Sequence, residues 1–228
     1  MNWVEFSNGE KLLKEAGWRY GMEIHGTEKN PYQKEPYLYP TVAIYSGSVD
    51  YNGQTMDGTP SKTNVNYKGI RSEVALNFPL YANENTFWSI VFFSIEGDRW
   101  DRDIVSTSQA LGYLEKWFVL SWKTGIKIGR GYPEGFKGSF WLGSSFLTTN
   151  TVDLFGVTVE PQGTLFLGAD FKLLNRLGEY LFEEGLFVRY RHWDKSPAEL
   201  AIVDNSLMSV WQPESEELTF GVFVGITF

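Results

Sequence analysis

ELTFGVFVGITF, residues 217–228, alternates almost without fault. Leu218, Phe220, Val222, Val224, Ile226 and Phe228 share one parity, and Thr219, Gly221, Phe223, Gly225 and Thr227 share the other. Successive side chains of a β-strand point to opposite faces, so this is a strand with one apolar face. Terminal residues usually fray because few contacts hold them. A terminus built this way needs something to cover its apolar side.

The same period recurs upstream. From Lys62 to Leu80, Ile70, Ser72, Val74, Leu76, Phe78 and Leu80 alternate with Arg71, Glu73, Ala75 and Asn77. From Tyr113 to Gly129, Leu114, Phe118, Leu120, Trp122, Ile126 and Ile128 oppose Glu115, Ser121, Lys123, Gly125 and Lys127. Gly163 to Leu173 and Glu179 to Trp193 behave alike, with Asp170, Lys172, Glu183, Arg189 and Arg191 on the polar parity. Leu38 to Asp50, Phe87 to Glu96 and Phe136 to Thr148 are strand-like in composition with looser parity. Together with the C-terminal strand these make about eight. Short turns such as YANENT and RGYPEG separate them on one side, and long polar segments such as GDRWDRDIVSTSQAL on the other.

Composition narrows the class. The 228 residues suit one large all-β domain. Aromatic residues reach 17% although mean hydropathy is only −0.25. No window approaches the roughly 18 uncharged apolar residues of a membrane-spanning helix. Cysteine is absent, which removes disulfides, thiolate metal sites and cysteine nucleophiles. A net charge of −8 and a pI near 4.9 argue against nucleic acid as a partner. MNWVEF has no basic region followed by an apolar one, so either the protein is cytosolic or the chain begins at a mature N-terminus.

Alternation alone does not say whether the apolar face meets a soluble core or lipid. Three features favour lipid. The opposite parity is small and polar with charges of both signs, as inside a narrow membrane barrel. Connections are short at one end and long at the other. Trp18, Tyr20, Trp88, Trp122, Tyr180 and Tyr190 sit toward strand ends or on the apolar parity, as interfacial girdles do.

The terminal GVFVGITF resembles the C-terminal strand of bacterial outer-membrane β-barrel proteins, and YSGSVDYNGQTMDGTP with NYKGIRSEVALNFPL resembles a hairpin of the small outer-membrane protein A and opacity type. The resemblance spans roughly Leu38 to Phe228. It implies an antiparallel up-and-down transmembrane barrel of about eight strands, or ten, in the bacterial outer membrane. It further implies lipid and lipopolysaccharide as surroundings, a monomer, and a C-terminal signal (Phe220, Val222, Val224, Ile226, Phe228) read by the barrel-assembly machinery.

Residues 1–35 are expected to stand apart from a barrel at 36–228. SNGEKLLKEAG carries a capping box, Ser7 with Glu10, and Gly17 as a stop, which predicts a short helix. It is expected to cap the terminus or, as in the lipid A palmitoyltransferase family, to lie at the membrane interface. GWRYGMEIHG reads as a further strand and brings the count to nine, an odd number for a single-chain bacterial barrel.

Signals for chemistry are sparse. The two histidines, His25 and His192, lie in no serine-triad or zinc spacing. Asp98, Asp101 and His192 suggest a rim constellation of the omptin type, and Asp98, Asp101 and Asp103 with Glu214, Glu216 and Glu217 a site for divalent cations. Interleaved Arg99 and Arg102 weaken both, so the balance is against an enzyme, and no cofactor or metal site is predicted. The informative set is the inward parity: Arg71, Glu73, Glu115, Lys123, Lys127, Asp170, Lys172, Glu183, Arg189 and Arg191. Charges of mixed sign persist in an interior when paired, which predicts a salt-bridged, water-poor lumen. The expected role is structural, or surface interaction through the outer loops. The alternatives are a rim enzyme acting on lipid or peptide and a soluble lipocalin-like barrel holding a hydrophobic ligand.

Overall fold

Asn8 and Gly9 decide how the chain begins. Both have positive φ, 53° and 80°, the conformations that a type I′ hairpin turn demands and that Asn-Gly adopts most readily. They join β1 (Asn2–Ser7) to β2 (Glu10–His25) in an antiparallel hairpin. The expected helix is therefore replaced by strands, and no α-helix occurs among the described residues. Period 2 prevails over the capping box because Trp3, Glu5, Leu13 and Glu15 all turn inward and are buried. A lone helical turn there would bury only a short stripe.

The computed structural model describes residues 1–33, 35–54, 58–83, 87–108, 110–178, 180–203 and 206–227. The strands that follow are β3 (Tyr37–Gln54), β4 (Pro60–Ala82), β5 (Trp88–Ile104), β6 (Tyr113–Arg130) and β7 (Gly135–Val152), then β8 (Val157–Val159), β9 (Gly163–Leu177) and β10 (Tyr180–Trp193). β11 (Glu199–Val203) and β12 (Ser206–Val210) form a separate hairpin, and β13 (Glu214–Thr227) ends the chain. Every pairing in the wall is antiparallel. It runs from β1 in sequence to β7, then β9, β10 and β13, and back to β1. The barrel thus closes with ten strands. The two beyond the expected eight are β1 and β2, so residues 1–25 belong to the wall and are no appendage.

Several strands run further than their apolar alternation. GDRWDRD continues β5, with Asp98, Trp100 and Arg102 inward and Arg99, Asp101 and Asp103 outward. Charged residues satisfy a ladder as well as apolar ones do, and only the inward ones need partners. At this far end the long connections are 105–112, 153–162 and 194–213. At the near end β4 is joined to β5, β6 to β7 and β9 to β10 by short connections, and a 3₁₀ turn at Pro31–Gln33 lies between β2 and β3.

Candidate functional site

The lumen divides into a filled half and a cavity. Toward the far end Trp3, Trp100, Trp117, Trp193 and Phe166 pack together, with Trp100 stacked on Trp117 at 5.3 Å and Trp3 against Trp193 at 5.0 Å. Against this cluster lies Arg102, fully buried. Its guanidinium donates twice to Glu115, both at 2.8 Å, and to Glu15 at 2.9 Å, and it lies 3.2 Å from Glu5. The indoles of Trp3 and Trp117 donate to Glu5 and Glu115 at 3.0 and 2.9 Å, and the Tyr67 hydroxyl donates to Glu15. One cation drawn from β5 thus ties its neighbour β6 to β1 and β2 on the other side of the lumen.

A second network lies next to it. Glu96 accepts from Lys123 and, at 2.9 Å, from Arg191. Arg191 also donates to Asp98 at 2.9 Å, Tyr45 donates to the same carboxylate, and Lys123 reaches Glu73 at 3.0 Å. Arg19 pairs with Glu217. Beyond these the lumen opens into a cavity of about 1020 Å³, which reaches toward the near end and, past Met22, Ile24, Val222 and Val224, to the outer face between β2 and β13. Lys172 pairs there with Glu183 at 2.7 Å, Arg71 with Glu23 at 3.4 Å, and Ser139 donates to Asp170 at 2.8 Å. Lys127 lies over the rings of Tyr39 and Phe92, and Arg189 over Phe187. Neither has a carboxylate within ion-pair distance among the described residues. A water-poor lumen is therefore found in one half only. Ten strands enclose more space than eight, and these side chains do not fill it.

Residues 26–33 fold under the cavity mouth. Glu28 pairs with Lys137, and Tyr132 donates to the Glu28 carbonyl at 3.0 Å. Burial pushes the Glu28 carboxyl up, but the ammonium of Lys137, with those of Lys127 and Lys172 behind it, outweighs burial and holds it at about 2.

All ten charges expected inside face the lumen, nine lining the cavity and Glu115 bound to Arg102. Sequence reading missed Glu5, Glu15, Glu96 and Arg102 and placed Asp98 at the rim, although all five are buried in the lumen. Continuing the parity of Phe92 through Ser94 and Glu96 would have found Arg102. Trp88, expected in an outer girdle, is buried and donates to the Gly131 carbonyl at 3.0 Å. Of the C-terminal set, Phe220, Val222, Val224 and Ile226 face outward, and Phe228 lies outside the described residues.

The rim constellation does not assemble. Asp98 points inward to Arg191, whereas Asp101 points outward to Lys68 at 3.3 Å. His192 meets Asp194 at 3.2 Å and Glu216 at 3.8 Å. Glu217 turns inward, away from Glu214 and Glu216, so the acidic set does not converge on one cation. No protein-family model matches the chain, and a comparison with curated proteins finds no similar sequence.

Proposed function

We propose that the protein is an integral β-barrel of the bacterial outer membrane, braced from within by its ion-pair networks and acting as a scaffold or surface element through its far-end loops. The observation that carries this is the inversion of the usual burial rule. Ile70, Val74, Phe78, Phe93, Ile126, Phe140, Phe171 and Val188 are exposed around the wall, while Glu15, Glu96, Arg102 and Asp98 are buried within it. A soluble protein rarely leaves so continuous an apolar surface facing water, and a soluble carrier of a hydrophobic ligand would place these faces the other way round. Hydrocarbon accepts this arrangement wherever the wall is paired, because a strand hydrogen-bonded on both sides satisfies its own backbone groups.

The far end is sealed by the tryptophan cluster and Arg102, which argues for a scaffold and against a through-channel. Above it the β11–β12 hairpin presents Leu200, Ile202 and Leu207 outward, the surface this reading assigns to interaction. Lipid and lipopolysaccharide are its surroundings in this proposal, the protein is a monomer, and the outward residues of β13 are what the assembly machinery reads. Electrophoretic mobility in SDS, unheated against boiled, is the test. Heat-modifiable migration after refolding into detergent or lipid is expected. A monodisperse folded protein that needs neither would overturn the proposal.

A further inference from the structure

β1 is too short for the wall it closes. Its residues pair with the first part of β2 and of β13, Asn2 opposite both Ala16 and Leu218, and Trp3 opposite both Glu15 and Glu217. Met1 continues the ladder, exchanging backbone hydrogen bonds with Gly17 at 2.9 and 3.1 Å. Beyond that point the two edges run on without β1. Residues 18–25 of β2 are paired on their other side to β3, and residues 220–227 of β13 to β10. Among the described residues, no backbone hydrogen bond joins these two edges.

The seam has the register of one strand. Stepping back from Met1, each further position would fall between Trp18 and Phe220, then Arg19 and Gly221, and so on to His25 and Thr227. Both edges end together at eight residues. Trp18 and Phe220, the first such pair, lie with ring centroids 6.5 Å apart. Exposure reports the same vacancy independently. On fully paired strands Ile70, Val74 and Val188 are 48, 50 and 43% exposed, whereas Met22, Ile24, Val222 and Val224 on the seam reach 75, 78, 82 and 75%. These side chains lack a neighbour on one side.

We infer that the seam takes one further β-strand, an extended polypeptide of about eight residues lying in line with β1, its C-terminal end at Met1, antiparallel to both edges. Hydrogen bonding decides for a polypeptide. In an antiparallel ladder alternate residues turn their backbone groups to each side. Since Gly17 bonds to Met1, those of Arg19, Gly21, Glu23 and His25 face the seam, and from the other edge so do those of Phe220, Val222, Val224 and Ile226. Unpaired strand edges invite strand addition and are not left bare in hydrocarbon. A lipid acyl chain would fill the space and satisfy none of these groups. The added strand must carry apolar residues opposite Trp18, Tyr20, Met22 and Ile24, and small polar residues opposite Arg19, Gly21 and Glu23, where it faces the lumen.

The choice of polypeptide over lipid rests on the membrane proposal, whereas the register does not, and two readouts keep them apart. The probe is four Thr-Val repeats placed before Met1, which puts valine outward, against four Val-Thr repeats, which put it into the lumen. Tethering removes affinity as a variable. Amide exchange at Arg19, Gly21, Val222 and Val224 is expected to slow by about tenfold with the first probe, the factor a net backbone hydrogen bond supplies, and to change little with the second.

The chain has no cysteine, so a Tyr20→Cys variant reads the register cleanly. A disulfide should form with a cysteine three residues before Met1 and not with one four before it. Unchanged exchange with both probes, equal crosslinking at both positions, or a copurified lipid that neither probe displaces would overturn the inference. Heat-modifiable migration of the parent protein tests the membrane proposal separately.

Discussion

Arg102 is the fully buried cation of the far half of the lumen. One guanidinium faces Glu5, Glu15 and Glu115, all buried. Removing the cation leaves carboxylates uncompensated away from water, a loss of about 3–5 kcal/mol. Arg102→Ala is expected to lower stability in detergent by that amount, measured by denaturant titration. Arg102→Lys should recover little, because a single ammonium cannot reach both Glu115, served by Nη1, and Glu15, served by Nε and Nη2. Glu28 sets an acid limb. Its carboxyl is held at about 2 against an ordinary 4.5. Its contribution is therefore complete above about pH 4.5 and is lost as the pH falls toward 2. Thermal melts across that window should show a shallower acid loss for Glu28→Gln than for the parent; parallel curves would remove Glu28 from the account.

At the scale of elements, the β1–β2 hairpin depends on its turn. Gly9 has φ 80° with open space around its Cα, so a side chain there meets only backbone strain. Gly9→Ala should cost about 1 kcal/mol, read as a lower unfolding midpoint with the barrel intact. β4 offers the test of whether the outward face meets lipid. Val74 points outward and Ala75 inward. Val74→Lys should weaken membrane insertion by about 2–4 kcal/mol if it lies near the bilayer midplane; a neutral or solubilising effect would indicate water on that face. The β11–β12 hairpin stands on a pinned base, since Ser196 and Gln212 exchange hydrogen bonds at 3.0 and 2.8 Å and Gln212 accepts from Asn150 at 2.9 Å. Replacing residues 199–210 by a short Gly-Ser link should leave heat-modifiable migration intact.

For the whole molecule, the two halves of the lumen behave differently. The far half is closed by packed indoles and a multiply bonded arginine, so planar bilayers containing the protein should show no steady large conductance. Small solutes should still enter the near-end cavity, with Lys127 and Arg189 favouring anions.

The eight strands from β3 to β7, β9, β10 and β13 were legible in the sequence, because a two-residue period with one apolar parity needs only local geometry to be read. So was the inward set from Arg71 to Arg191, since parity alone places it. GWRYGMEIHG was legible as a strand, but β1 and the first half of β2 were misread because the capping box and the Asn8-Gly9 turn compete over the same residues, and only the burial of Trp3, Glu5, Leu13 and Glu15 in a common interior settles that contest. Which charges meet was also beyond sequence. Arg102 faces Glu115 on the neighbouring strand β6, but it joins Glu5 and Glu15 across the lumen, from β1 and β2. The seam between β2 and β13 is likewise a fact of closure: strand lengths are local, but whether two edges meet or leave room for another strand depends on how the barrel shuts. The sequence by itself determined the strands and their two faces, because alternation is a property of neighbouring residues. Tertiary structure alone decided the strand count, the partners in the lumen and the open edge, because each arises between residues that only closure brings together.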